Sequence, residues 1–219
     1  LTATKAARVL IVDDHPIVRQ GLTQLIDGVD DLEVCGEAHD ATSASEALDR
    51  LRPDVAIVDL MLEGTAGLAF IKELKRRYPD TPLLVLSMHD EAVYAERALK
   101  AGAYGYIMKE AATSQLLTAL RKVLAGEVYV SEHMVARILR RMVGGSASEG
   151  IEQLSDRELE VFQWIGRGLS INEIAERLKV SPKTVESFRA HIKDKLNLAN
   201  SAEVARLAVR WFEQRRARP

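Results

Sequence analysis

Five short apolar runs, each followed by a stretch of helical period, constrain this chain more than any other feature of it. The clearest is Val55-Ala-Ile-Val58, preceded by Pro53, closed by Asp59, and followed by the turn signals Gly64 and Gly67. A run rich in β-branched residues and without polar alternation suits a strand buried on both faces, the habit of parallel sheets. Arg8–Val12 is a second such run and ends in Asp13-Asp14. Leu32–Ala38 is a third, Leu83–Leu86 a fourth ending at Ser87, and Tyr104–Met108 a fifth ending at Lys109. Between them the 3.6-residue period predicts helices. Pro16 opens the first, with Ile17, Val18, Leu22, Leu25 and Ile26 on one face; the others span Thr42–Leu51, Leu68–Tyr78, Ala92–Ala101 and Ser114–Ala125. Five βα units in strict alternation predict an α/β fold, a five-stranded doubly wound parallel sheet.

The pattern then changes. Ser131–Val143 reads as an amphipathic helix with Met134, Val135, Ile138, Leu139 and Met142 on one side. Gly144-Gly-Ser-Ala-Ser-Glu-Gly150 has the composition of a flexible tether. Beyond it every segment carries a helix-start signature. Ser155 with Glu158 and Ser170 with Glu173 make capping boxes, Ser181-Pro182 opens a third helix, and Asn200 with Glu203 a fourth. The second of these helices ends near Leu178 and the third begins at Pro182, which is helix-turn-helix spacing. We therefore expect a first domain over 1–126, a linker with one helix over 127–150, and a separate all-α, four-helix domain over 151–219.

Charge supports a division of labour. Residues 1–130 hold 14 Lys/Arg against 20 Asp/Glu, whereas residues 151–219 hold 13 against 10. An acidic front and a basic back place any polyanionic partner at the back. Cys35 is the only cysteine, so no internal disulfide is expected. No run approaches the roughly 18 apolar residues of a membrane span, and no signal peptide opens the sequence. No membrane partner is expected, and the cytoplasm is the expected compartment.

Four of the strand ends supply Asp13, Asp14, Asp59, Ser87 and Lys109 to one crevice, where parallel α/β sheets gather their ligands. Clustered carboxylates repel: a pair at about 5 Å costs roughly 3 kcal/mol at an effective dielectric near 20. A hard divalent cation relieves this, and Mg²⁺ takes carboxylate and carbonyl oxygens. Together with a lysine, a hydroxyl and a carboxylate nucleophile, the set suits phosphoryl transfer, where catalysis is mostly positioning and charge neutralisation.

On these residues the front half resembles a two-component receiver domain of flavodoxin-like fold, with Asp13-Asp14, Asp59, Ser87 and Lys109 at the marker positions. The resemblance implies that Asp59 accepts a phosphoryl group from a histidine kinase, so that the chain is no enzyme beyond assisting its own phosphorylation and dephosphorylation. It implies that Asp14, Asp59 and the Met61 carbonyl bind Mg²⁺ with Asp13 assisting, and that Lys109 contacts the phosphate. Ser87 and Tyr106 are then the residues that reorient. One departure is local: Leu62 and Glu63 stand where the family usually has Met-Pro. Met61 and His89, two residues beyond Asp59 and Ser87, are expected to flank the attacking water. Met61 would shield the acyl phosphate, while His89 would either position water or sit exposed.

The back half resembles the LuxR-type helix-turn-helix of the NarL/FixJ response regulators. Leu154–Val161, Glu173–Leu178, Val180–Val185 and Lys195-Leu196 carry the match. Pro182–Leu196 is by that likeness the helix that reads double-stranded DNA. Lys183, Thr184, Arg189, Lys193 and Lys195 are then the available phosphate contacts, and Glu186, Ser187 and Ala190 face the major groove. Glu186 admits two readings, a base contact or an ion pair with Lys183 or Arg189. The whole reads as a transcriptional regulator that dimerises when phosphorylated or DNA-bound. The alternatives are a receiver that no longer takes phosphate and serves only as a dimer interface, and an Mg²⁺-dependent aspartyl-phosphate phosphatase. The phosphatase family needs a second acid where this chain has Met61.

Overall fold

The computed structural model describes residues 6–62, 65, 67–144 and 150–216, with the side chains of 141–144 and 214–216 left aside. Glu63 and most of the Gly/Ser tether lie outside the described residues. Two compact units divide the chain, Leu1–Gly144 and Gly145–Pro219.

In the first unit the strands are β1 (Ala7–Val12), β2 (Leu32–Ala38), β3 (Val55–Asp59), β4 (Leu83–Ser87) and β5 (Gly105–Met108). They alternate with α1 (Pro16–Ile26), α2 (Ala41–Leu51), α3 (Gly67–Arg77), α4 (Glu91–Lys100) and α5 (Ala112–Leu124). All pairings are parallel, in the order β2-β1-β3-β4-β5. Every residue of β3 and β4 is buried, which explains their unbroken apolar runs. Val9, Ile11, Val55, Ile57, Leu84, Leu86 and Ile107 pack on α1 and α5 residues such as Leu22, Ile26, Leu116 and Leu120. At Gly67 a side chain is sterically excluded, because a Cβ there would lie 2.1 Å from the Leu60 carbonyl oxygen.

Two features mark the end of this unit. Helix α5 is preceded by a short 3-10 turn, Lys109–Ala111, that redirects the chain immediately after β5. The helix assigned to the linker, α6 (Glu132–Gly144), belongs to the first unit. It is anchored to α4: the Glu91 carboxylate accepts hydrogen bonds from the Ser131 amide (2.7 Å) and hydroxyl, and Met134 is buried. Just before it, the Tyr106 amide donates to the Tyr129 carbonyl and the Tyr129 amide to the Tyr104 carbonyl, each at 2.9 Å. Gly105 makes room for this approach, since a Cβ there would fall 2.9 Å from the Tyr129 oxygen. The chain leaving α5 thus borders the sheet as a one-residue extension beside β5.

The second unit comprises α7 (Asp156–Gly166), α8 (Ile171–Leu178), α9 (Pro182–Lys195) and α10 (Ser201–Arg216), after a 3-10 turn over Gly150–Gln153. Both capping boxes form, Ser155 with Glu158 and Ser170 with Glu173. Lys179 adopts a left-handed φ of 53° after α8, and the Ser181 hydroxyl accepts from the Thr184 amide to start α9. Leu159, Phe162, Ile174, Val185, Ile192, Val204 and Ala208 are buried between the helices. Among the described residues no helix is long and apolar enough to cross a membrane.

Candidate functional site

Strand register assembles the crevice. Val12 is paired with Val58, so Asp13 and Asp59 emerge side by side where the strand order reverses. Asp59 is opposite Leu86, and Ser87 is opposite Met108, which brings Ser87 and Lys109 to the same edge. The Lys109 ammonium lies 2.7 Å from Asp59 Oδ2 and 2.6 Å from Asp13 Oδ2. The other oxygens are held by backbone: the Met61 amide donates to Asp59 Oδ1 at 3.0 Å, and the His15 amide to Asp13 Oδ1 at 2.8 Å.

Burial dominates the electrostatics. It pushes the Asp59 carboxyl above its ordinary value, against the opposing pull of Lys109 and with a further push from Asp13. For Lys109, burial works to lower the ammonium's value, yet the Asp59 and Asp13 carboxylates outweigh it and leave it raised. Asp13, Asp14, His15 and Asp59 each offer a ligand atom within 4.8 Å of the others. His15 Nδ1 sits 2.6 Å from Asp14 Oδ1, a neighbour that reading the strand ends alone missed although it follows Asp13-Asp14 directly. Asp13 and Asp59 share one lysine and Asp14 lies beside them, so the cluster is rich in carboxylate oxygens, donors that fit a hard divalent cation.

Ser87 and Tyr106 are both buried. The Ser87 hydroxyl accepts from the His89 amide at 3.2 Å, while the Tyr106 hydroxyl donates to the His89 carbonyl at 2.7 Å. Burial holds the Tyr106 phenol well above its ordinary value, so it is a neutral donor. His89 is not the exposed residue that was one of its two readings. It is buried and stacked on Tyr94, with ring centroids 4.7 Å apart. Ser87, His89 and Tyr106 therefore form one hydrogen-bonded group between β4, β5 and the start of α4.

In the second unit α9 turns Val185 and Ile192 inward and leaves Lys183, Glu186, Ser187 and Ala190 exposed. Thr184, Arg189 and Lys193 are half-buried. The Thr184 hydroxyl is engaged in the cap, 2.8 Å from the Ser181 hydroxyl, and Lys193 lies 3.1 Å from Asp194. Lys195, assigned above to phosphate, is instead paired with the buried Glu158 at 2.6 Å. Burial pushes the Glu158 carboxyl up, but the Lys195 ammonium and the Ser155 donors overcome that and hold it below its ordinary value. Lys195 ties α9 to α7 at the end of the helix opposite Lys183.

Comparison with known proteins agrees with both halves. Residues 9–121 match the family described as "Response regulator receiver domain", and residues 152–208 match "Bacterial regulatory proteins, luxR family". The chain is 37% identical over 210 residues to the oxygen regulatory protein NreC of Staphylococcus carnosus, covering 93% of this chain and 97% of that protein. Among solved structures it resembles RcsB of Salmonella enterica serovar Typhimurium bound to promoter P1flhDC with the phosphomimetic BeF3⁻. That likeness has a TM-score of 0.69 and 30% identity, over 92% of this chain and 98% of the other. A structure of two RcsB dimers on two parallel DNAs matches at a TM-score of 0.58 and 28% identity, over 92% and 96% of the two chains.

Proposed function

The chain belongs to the response regulators that join a receiver domain to a LuxR-family DNA-binding domain, and on that footing we propose that phosphorylation of Asp59 switches its DNA binding. The observation that carries this is Asp59 at the end of β3, buried, with Lys109 at 2.7 Å and two further carboxylates beside it. The donor would be a phosphohistidine of a sensor kinase. An Asp59 oxygen attacks phosphorus, the P–N bond breaks as the P–O bond forms, and the imidazole leaves. Asp59 must be ionised to attack, which its burial opposes and Lys109 favours. Lys109 then neutralises a phosphoryl oxygen.

Mg²⁺ is the cation we assign to the carboxylate cluster, with Asp14, Asp59 and the Met61 carbonyl as ligands and Asp13 assisting. It would supply charge neutralisation for the transferring group. Ser87 would engage the new phosphoryl oxygens. Any shift of its hydroxyl reaches His89 and, through the His89 carbonyl, Tyr106. The output would be pairing of two chains on double-stranded DNA, as the RcsB structures support, with α9 in the major groove. Lys183, Thr184, Arg189 and Lys193 are assigned to phosphates, and Glu186, Ser187 and Ala190 to the groove floor. A regulator of this kind works beside the chromosome, in the cytoplasm.

The test is mass spectrometry of the intact chain with acetyl phosphate and Mg²⁺. One phosphoryl group is expected, lost on Asp59→Asn, together with tighter DNA binding of the phosphorylated form. Undiminished labelling of Asp59→Asn would sink the assignment.

A further inference from the structure

We infer that Glu186 reads a base, accepting a hydrogen bond from the N4 amino group of a cytosine in the major groove. The inference rests on the DNA-binding reading above and gives it a sequence preference. Lys183, Glu186, Ser187 and Ala190 stand at helical positions i, i+3, i+4 and i+7, and all four are exposed on the side of α9 opposite the buried Val185 and Ile192. Within that stripe the polar reach is limited. Ala190 offers only a methyl group, and the Ser187 hydroxyl is turned back onto the helix, donating to the Lys183 carbonyl at 3.1 Å. Lys183 and Glu186 remain as the side chains with free polar ends.

The Glu186 carboxylate makes no ion pair among the described residues. Among the described residues no cation lies within 4.0 Å of its carboxylate, although Lys183 and Arg189 are both at helical spacing from it. Elsewhere in this unit Glu158, Glu160 and Asp194 all hold a cation, at 2.6, 2.8 and 3.1 Å. A partnerless carboxylate on a DNA-facing stripe is repelled by every nearby phosphate. Only a donor on the groove floor offsets that repulsion, and two bases present one. Adenine N6 is flanked by acceptors on both sides, its own N7 and the O4 of the paired thymine. Cytosine N4 has a C–H on one side and a single acceptor on the other, so it is the better match for an anion.

The experiment uses the full phosphorylated chain. A site is first selected from randomised duplexes, and affinities for all its single-base-pair variants are then measured at one salt concentration. The wild-type chain should lose about 5- to 100-fold on replacing one C·G pair. Glu186→Ala should lose that same factor on the selected site and become indifferent at that pair alone, with other positions unchanged. Glu186→Gln should shift the preference there toward adenine, whose N6 and N7 match an amide. Lys183→Ala is the control: affinity falls on all sequences and the base profile stays. An Ala variant that binds every duplex as well as or better than wild type, with an unaltered profile, overturns the inference and leaves the DNA-binding reading standing. Failure of the wild-type chain to select any sequence overturns both.

Discussion

The Lys109 ammonium is 2.7 Å from Asp59 Oδ2, and the two residues are fifty positions apart in sequence. One cation, itself shared with Asp13 at 2.6 Å, opposes the burial that disfavours the ionised form of the proposed phosphoacceptor. Several measurable consequences follow from how finely that balance is set.

The first concerns pH. Burial raises the folded Asp59 carboxyl above its ordinary 3.8, so folding takes up a proton in that window. The contribution of Asp59 to stability is greatest below pH 3.8 and declines as pH rises through the raised folded value. Above that window, without divalent cation, the residue therefore costs stability. Asp59→Asn should melt higher than wild type at pH 7, by about 4 °C for each kcal/mol recovered. Thermal denaturation in chelator from pH 4 to 8 checks this, and curves with equal slopes would refute it.

Removing Lys109 has the opposite sign. Lys109→Ala leaves Asp13 and Asp59 buried beside each other without their cation, a cost of about 3 kcal/mol. Added Mg²⁺ should recover most of the loss, since it can still bind. Phosphorylation of the variant should no longer tighten DNA binding, because a phosphate contact has gone. Melting with and without Mg²⁺, followed by DNA titration of the labelled protein, separates the two effects.

The contact between Glu91 and Ser131 ties the segment leaving α5 to the start of α4, two residues beyond His89. Ser131→Ala removes a charge-assisted hydrogen bond, so destabilisation of about 1 kcal/mol is expected, confined to this region. Amide exchange at residues 128–134 should accelerate while the β-sheet stays protected. Uniform acceleration would mean that the clamp is not local.

The lifetime of the acyl phosphate should depend on Met61. It lies two residues past Asp59, is half-buried, and has no side-chain group that could hold water. Met61→Asn supplies such a group and should hasten loss of the phosphoryl label several-fold. An unchanged rate would make Met61 a mere surface residue.

Lys195 divides structural from DNA-binding charge on α9. Lys195→Met strands the buried Glu158 and should cost about 1 kcal/mol, at the low end for a buried ion pair because the lysine is 40% exposed. Glu158 lies below its ordinary 4.5, so its stabilisation is full above that pH and is lost as pH falls through the folded value. The variant should lose this acid-side dependence. Its binding should fall with salt as steeply as wild type does, whereas Lys183→Ala should flatten that slope by about 1.

Local sequence alone determined the elements. Unalternating apolar runs meant buried parallel strands because both faces of such a sheet are covered by helices, and Ser155, Ser170 and Ser181 marked helix starts because their hydroxyls satisfy amides three residues away. The residues at the strand ends were legible for the same reason: a strand's carboxyl end is a position in the sequence. Tertiary structure alone decided partners that lie far apart along the chain. Nothing local to Lys195 points to Glu158, nothing near Ser131 points to Glu91, and the apolar stripe of α6 does not say that α4 holds it. His89 was ambiguous for the same cause, since a histidine after a strand can face water or pack, and only the ring of Tyr94 settles which. Backbone periodicity and capping act over a few residues, whereas ion pairing and burial depend on which surfaces the folded chain brings together.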